Sequence, residues 1–174
     1  MMNDMLNAIK NRRSVRKYKS DMVPKELIDQ VIEAGLYAAS GRGSQSPIIL
    51  AVTDKETRDH FSAANAKIYG KEDMDPFYGA PVLLIVLANK AHPTHLYDGS
   101  LVMGNMMLMA SSLGLGSCWI HRAKEEFDSL GGKAFLKLHG IDGDYEGIGH
   151  CILGYPDTEE TPPPPRKDHR VYFI

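Results

Sequence analysis

The fold this sequence predicts is α+β, a central sheet covered by helices, and three observations predict it. Short apolar runs alternate with segments of helical period along most of the chain. One run, "PVLLIVLA" (Pro81 to Ala88), is apolar without alternation, which suits a strand buried on both faces. Another segment, Leu96 to Leu113, has apolar residues nearly all round a helix and should be enclosed by sheet, other helices or a partner subunit. A chain of 174 residues suits one domain, 1–174, with a real core.

The elements follow in order. Met5, Leu6 and Ile9 recur at helical spacing, so Asn3 to Asn11 reads as a short helix. Pro24 suits a helix first turn, and Leu27, Ile28, Val31, Ile32 and Leu36 continue it with a period near 3.6. That helix stops in "AASGRGSQSP", where glycines, serines and a proline break the pattern. "IILAVT" is a strand, and Asp54 caps the helix after it, which carries Arg58, Phe61 and Ala64. Beyond the apolar helix, "GSCWIH" is a strand, "KEEFDSL" and "KAFLKLHG" are short helices, and "GIGHCILG" is a strand. Residues 155–174 differ: "YPDTEETPPPPRKDHR" is a polar, proline-rich arm with no capacity for a core. It ends in "RVYFI", an apolar strand-like segment that should dock, with a partner subunit as reachable as its own sheet.

A net charge of −2 excludes a domain-wide basic field, and with it bulk binding to nucleic acid or a membrane surface. The apolar runs are too short to span a bilayer, which takes ~20 residues. Cys118 and Cys151 sit in apolar surroundings and fit buried thiols in a reducing, cytoplasmic compartment. Against this background the cluster Arg12, Arg13, Ser14, Arg16 and Lys17 in "NRRSVRKY" stands out. It points to one small anion rather than a polymer, the alternative being a solvated basic turn at a helix end.

Several chemistries lack their signatures. His92, His95, Cys118, His121, His150 and Cys151 match no structural zinc spacing, so no metal is expected. There is no Gly-x-Ser-x-Gly elbow for a hydrolase and no Gly-x-Gly-x-x-Gly after the first strand for a dinucleotide fold.

Four motifs taken together, "RRSVRKY", "AASGRGSQSP", "GSLVMGNMMLMASSLGLGSCWI" and "GYP…PPPPRK", resemble the nitroreductase family of flavoproteins, in family order and over nearly the whole chain. The resemblance implies a central mixed, mostly antiparallel sheet flanked by helices, and a C-terminal arm exchanged in a homodimer. It implies bound FMN, NAD(P)H as a transient reductant, and a nitroaromatic, quinone or similar small-molecule acceptor. On that reading Arg12, Arg13 and Ser14 meet the FMN phosphate through arginine forks and a hydroxyl, and Arg16 faces the pyrimidine edge of the ring. Arg166 and Lys167 form a late basic pair for the phosphate, with Arg170 the alternative. Ser40, Gly41, Gly43 and Gln45 contact ring and ribityl, and Ile120 and His121 lie against the flavin. His121 is also a candidate substrate contact, and no catalytic acid or base is assigned. The methionine-rich helix would pack in both core and dimer interface. Gly43 stands where relatives carry an Asn, Ser46 precedes Pro47, and Ile48 replaces the usual aromatic. A side-chain contact is therefore lost there or taken over by a backbone amide. Two rivals remain: a specialised flavin dehydrogenase or reductase for one metabolite, and a non-catalytic FMN-binding module.

Overall fold

The computed structural model describes residues 4–159 and 161–174; Asn3, the expected helix start, and Glu160 of the arm lie outside them. The elements are α1 (Asp4–Asn11), α2 (Lys25–Leu36), β1 (Pro47–Val52), α3 (Lys55–Tyr69), β2 (Val82–Asn89), α4 (His95–Ser112), β3 (Gly116–Ile120), α5 (Ala123–Asp128), α6 (Leu130–Leu138) and β4 (Tyr145–Gly154). Among the described residues the strands form a four-stranded sheet in the order β1-β2-β4-β3, each neighbouring pair antiparallel. The parallel component is a single bridge between Ser14 and Ser117 at the β3 edge.

Strand β2 is central, and Val82 to Ala88 are fully buried. Its two faces feed two cores. Val82, Leu84 and Val86 pack with Met103 and Met106 of α4 and with α2. Leu83, Ile85 and Leu87 pack with Phe61, Phe127 and Leu136 from α3, α5 and α6. Each fully buried aliphatic side chain there contributes about 1.5–3 kcal/mol. The absence of alternation in "PVLLIVLA" is thus the mark of a three-layer sandwich.

Helix ends follow local chemistry. Pro24 sits at the N-cap of α2, one position outside the expected first turn. The Asp54 carboxylate accepts from Thr57 N at 2.8 Å and caps α3. Helix α4 buries Val102, Met103, Met106 and Ala110, whereas Leu96, Tyr97 and Leu101 remain exposed. One chain therefore encloses only one side of this helix. The terminal "RVYFI" pairs with no strand of its own sheet, and Val171 to Ile174 are exposed. Without a sheet edge beside it, the segment forms no strand within this chain.

Candidate functional site

The basic segment is laid along the β3 edge. Val15 N donates to Ser117 O at 2.9 Å, Lys19 N to Tyr155 O at 2.9 Å and Asp157 N to Lys17 O at 3.0 Å. Tyr18 Oη donates to Val15 O at 2.8 Å, and burial raises its phenol well above the usual range. Lys17 pairs with Asp157 at 2.8 Å on the exposed surface. Gly116 makes the close approach feasible, because a Cβ there would lie 2.9 Å from Val15 Cβ.

Fixed in this way, Arg13, Ser14 and Arg16 line a cleft of about 770 Å³, with Ser111, Ser112 and Gly114 from the end of α4 and Thr158, Thr161 and Pro162 of the arm's root on its other walls. Arg13 is the informative residue. Its Nη1 donates to Arg12 O at 2.6 Å, while Nε and Nη2 are buried with no partner. Two buried guanidinium donors without partners are costly, and an anion is the group that would satisfy them. Arg12 is half-buried but is not among the residues lining this cleft.

The second motif lies elsewhere. Gly41–Gly43 forms a 3-10 turn, Ser40 Oγ accepts from Gln45 N at 3.0 Å, and Gly41 N donates to Asp98 Oδ1 at 2.9 Å. Thr94 Oγ1 donates to Asp98 Oδ2 at 2.9 Å, so a buried carboxylate in the first turn of α4 ties the loop to that helix. A Cβ at Gly41 would come 2.3 Å from Thr94 Oγ1, which requires glycine there. Gly43 has φ +65, and its N–H already donates to Ser40 O at 3.0 Å. The amide offered as a substitute for the missing Asn is therefore engaged inside the turn. Ser44 and Ser46 keep buried hydroxyls with no partner.

These two groups stand at opposite ends of α4. Asp98 and Ser111 are roughly 20 Å apart along the axis at the α-helical rise. The candidate residues do not converge on one point within one chain. Ile120 and His121 end β3, away from its Gly116 end, with Ile120 buried and His121 exposed. The His121 ring lies 6.2 Å from that of Trp119, and its carbonyl accepts from Asn65 Nδ2 at 2.9 Å. Arg166 folds onto its own arm, Nη2 donating to Pro164 O at 2.7 Å, and neither it nor Lys167 reaches the Arg13 cleft.

Sequence reasoning missed Asp98, the anchor of the second motif, and a buried set formed by Asn65, Glu126 and His150. Only an acidic residue in a helix first turn signalled the former, and nothing local signalled the latter. Among the described residues, no group of three or more His, Cys, Asp or Glu is placed to hold a metal ion. None of the helices described is long and apolar enough to cross a membrane.

Comparison with known proteins bears on this arrangement. The chain superposes on a Bacteroides fragilis nitroreductase solved with bound FMN, with a TM-score of 0.89 at 26% identity over 99% of this chain and 100% of the other. It is 34% identical to a putative NADH dehydrogenase/NAD(P)H nitroreductase of Methanothermobacter thermautotrophicus over 67% of its own length, and spans 60% of that relative. A protein of the same name from Archaeoglobus fulgidus matches at 28% identity over 91% of this chain and 89% of the relative. The sequence pattern shared by the nitroreductase family matches residues 9–155, from the helix before the basic segment to the end of β4, and the chain belongs to that family.

Proposed function

We propose that this protein is an FMN-dependent oxidoreductase, passing hydride from NAD(P)H to a nitroaromatic, quinone or similar small acceptor. The observation that carries the reading is the Arg13 guanidinium, buried with two nitrogens unpartnered beside Ser14 and Arg16. The residues fit the cofactor: a phosphate dianion has acceptor oxygens for both orphaned donors and for the Ser14 hydroxyl. FMN, when bound, supplies a ring that accepts a hydride and gives it up again. Arg13 and Ser14 would hold the phosphate, Arg12 would add charge from outside the cleft, and Arg16 would serve the pyrimidine edge, where positive charge favours electron-rich flavin. The β3 end at Ile120 and the following His121 would back the ring, and the exposed His121 side chain would be free to meet a substrate. Hydride transfer needs no protein base, so these groups bind and orient.

The separation along α4 supports a homodimer, one copy supplying the Arg13 cleft and the other its Ser40–Gln45 loop. The bare outer side of α4 supports the same reading. The β3 edge is taken by Ser14 and Val15, whereas β1 is the other edge. Beside β1 runs a groove of about 400 Å³ with Phe135, His139 and Ile141 on its wall. The terminal "RVYFI" of a second copy suits that edge by strand addition, and the arm then carries Arg166 or Lys167 towards a flavin. The buried thiols suit a reducing cytoplasm.

The test is to denature the purified protein and identify the chromophore, then follow NAD(P)H consumption with an added quinone. Release of FMN and acceptor-dependent consumption support the proposal. Absence of flavin with no FMN uptake at micromolar concentration sinks it, and flavin without turnover leaves a binding module. Deleting Pro162 to Ile174 should lower both dimer content and flavin retention, read by sedimentation and absorbance on one sample; a fully flavinated dimer would reduce the arm to a solvated tail.

A further inference from the structure

Three segments distant in sequence, α3, the β3–α5 turn with α5, and β4, meet in one buried polar cluster beneath α5. His150 of β4 and Glu126 of α5 approach at 2.8 Å, Nε2 to Oε2. Asn65 of α3 uses its Nδ2 group twice, donating to Glu126 Oε1 at 2.6 Å and to His121 O at 2.9 Å. Arg122 Nε closes the set by donating to Asn65 Oδ1 at 2.8 Å. Asn65 and His150 are fully buried and Glu126 nearly so.

Polar groups this deep are no better for stability than apolar packing, so fold support is a weak account of them. What they grip is the turn between β3 and α5. Arg122 there has φ +79, a left-handed conformation that a residue with a Cβ keeps only when its surroundings hold it. The hold is direct, since Asn65 takes the carbonyl of His121 and the side chain of Arg122. The Arg122 guanidinium also lies over the Tyr69 ring at 4.4 Å. Nothing in the hydride chemistry uses this network, yet it ends on the segment that backs the ring.

We infer that Asn65 and Glu126 are positioning residues for the cofactor, holding the Ile120–Arg122 turn in the conformation that meets the flavin. This rests on the FMN reading above. The residues touch no reacting atom and act through the backbone of His121 and Arg122. Glycine at 122 needs no such hold, because it enters positive φ freely, and that separates positioning from fold support.

The experiment compares the full-length parent, Asn65→Ala, and Asn65→Ala combined with Arg122→Gly. Three quantities are read on each: the FMN dissociation constant of flavin-stripped protein, amide exchange at residues 120–123, and the melting midpoint. Asn65→Ala is expected to weaken FMN binding at least tenfold and to speed exchange at the turn. Adding Arg122→Gly is expected to recover most of the FMN affinity while the midpoint stays low. Should Asn65→Ala not fold, the near-isosteric Glu126→Gln takes its place, alone and with Arg122→Gly, and the same pattern is expected. Unchanged FMN affinity in the single variant overturns the role, as does a loss that follows the midpoint and is not recovered by glycine. A parent that takes up no FMN removes the flavin reading and this role with it. A parent that binds beside an unaltered variant removes this role alone.

Discussion

Arg13 and Arg58 are both arginines with buried nitrogens, and they differ in what those nitrogens meet. Arg58, on α3, donates from Nε to Ala80 O at 3.1 Å, from Nη1 to Asp59 at 3.0 Å, and from Nη2 to Asp75. Asp75 in turn accepts from Ser62 Oγ at 2.6 Å, Phe77 N at 2.9 Å and Gly79 N at 2.7 Å, which pins the loop leading into β2. Arg13 has one partnered nitrogen and two buried without partners. A charge whose every donor is answered within the chain does structural work. A charge with buried donors left open has no such structural partner within the chain.

The comparison breaks most sharply at Arg58. Arg58→Ala leaves Asp75 without its cation, and the expected loss is about 3 kcal/mol of stability, with FMN affinity unchanged. Denaturant midpoints of the stripped proteins measure it; a flavin-binding defect at unchanged stability would invert the assignment. The same pair sets an acid limb. Burial pushes the Asp75 carboxyl up, but the bonds from Arg58, Ser62 and the two amides outweigh it and hold it below the ordinary range. A depressed folded value means that the unfolded chain binds the proton more readily. The contribution is therefore fully present above the unfolded value of ~3.9 and is lost as pH falls through the lower folded value. Asp75→Asn should flatten that part of the stability-pH curve; an unchanged slope would show that other carboxylates set it.

At Arg13 the signs should cross. Arg13→Met removes an unsatisfied buried cation, so the stripped protein should be as stable as the parent or more so. FMN binding should weaken by about 1.5–3 kcal/mol, typical of a lost charged hydrogen bond. Calorimetric titration beside a melting curve reads both; a variant that loses stability and keeps FMN would make Arg13 a structural arginine like Arg58. The smallest effect is expected at Arg12, which stands outside the cleft lining. Arg12→Ala should weaken FMN by about 0.5–1 kcal/mol, as for a partly exposed charge. A loss equal to that of Arg13 would mean that Arg12 swings inward when phosphate binds.

What could be read along the chain was what depends on near neighbours. The run Pro81 to Ala88 became β2 because a strand buried on both sides has no polar positions to alternate with. Asp54 could be named as a cap because the backbone N–H it accepts from, that of Thr57, lies three residues away. The basic segment was visible as charge, but the difference between Arg12 and Arg13 was not. That difference depends on how Val15 docks onto Ser117, more than a hundred residues distant. Asn65, Glu126 and His150 were silent for the same reason, since each looks like an ordinary polar residue until its partner 61 or 24 positions away is beside it. The two ends of α4 were both marked by motifs, yet periodicity gives no sign that motifs flanking one straight helix cannot meet.

The two cysteines described earlier have a practical consequence. Cys118 and Cys151 belong to opposite cores of the sheet, and burial pushes the Cys151 thiol up to about 12. Fully buried and held as the thiol at neutral pH, Cys151 is inert while the strand is closed. Labelling by a thiol reagent therefore waits for the central sheet to open, and its rate clocks that opening without any added probe.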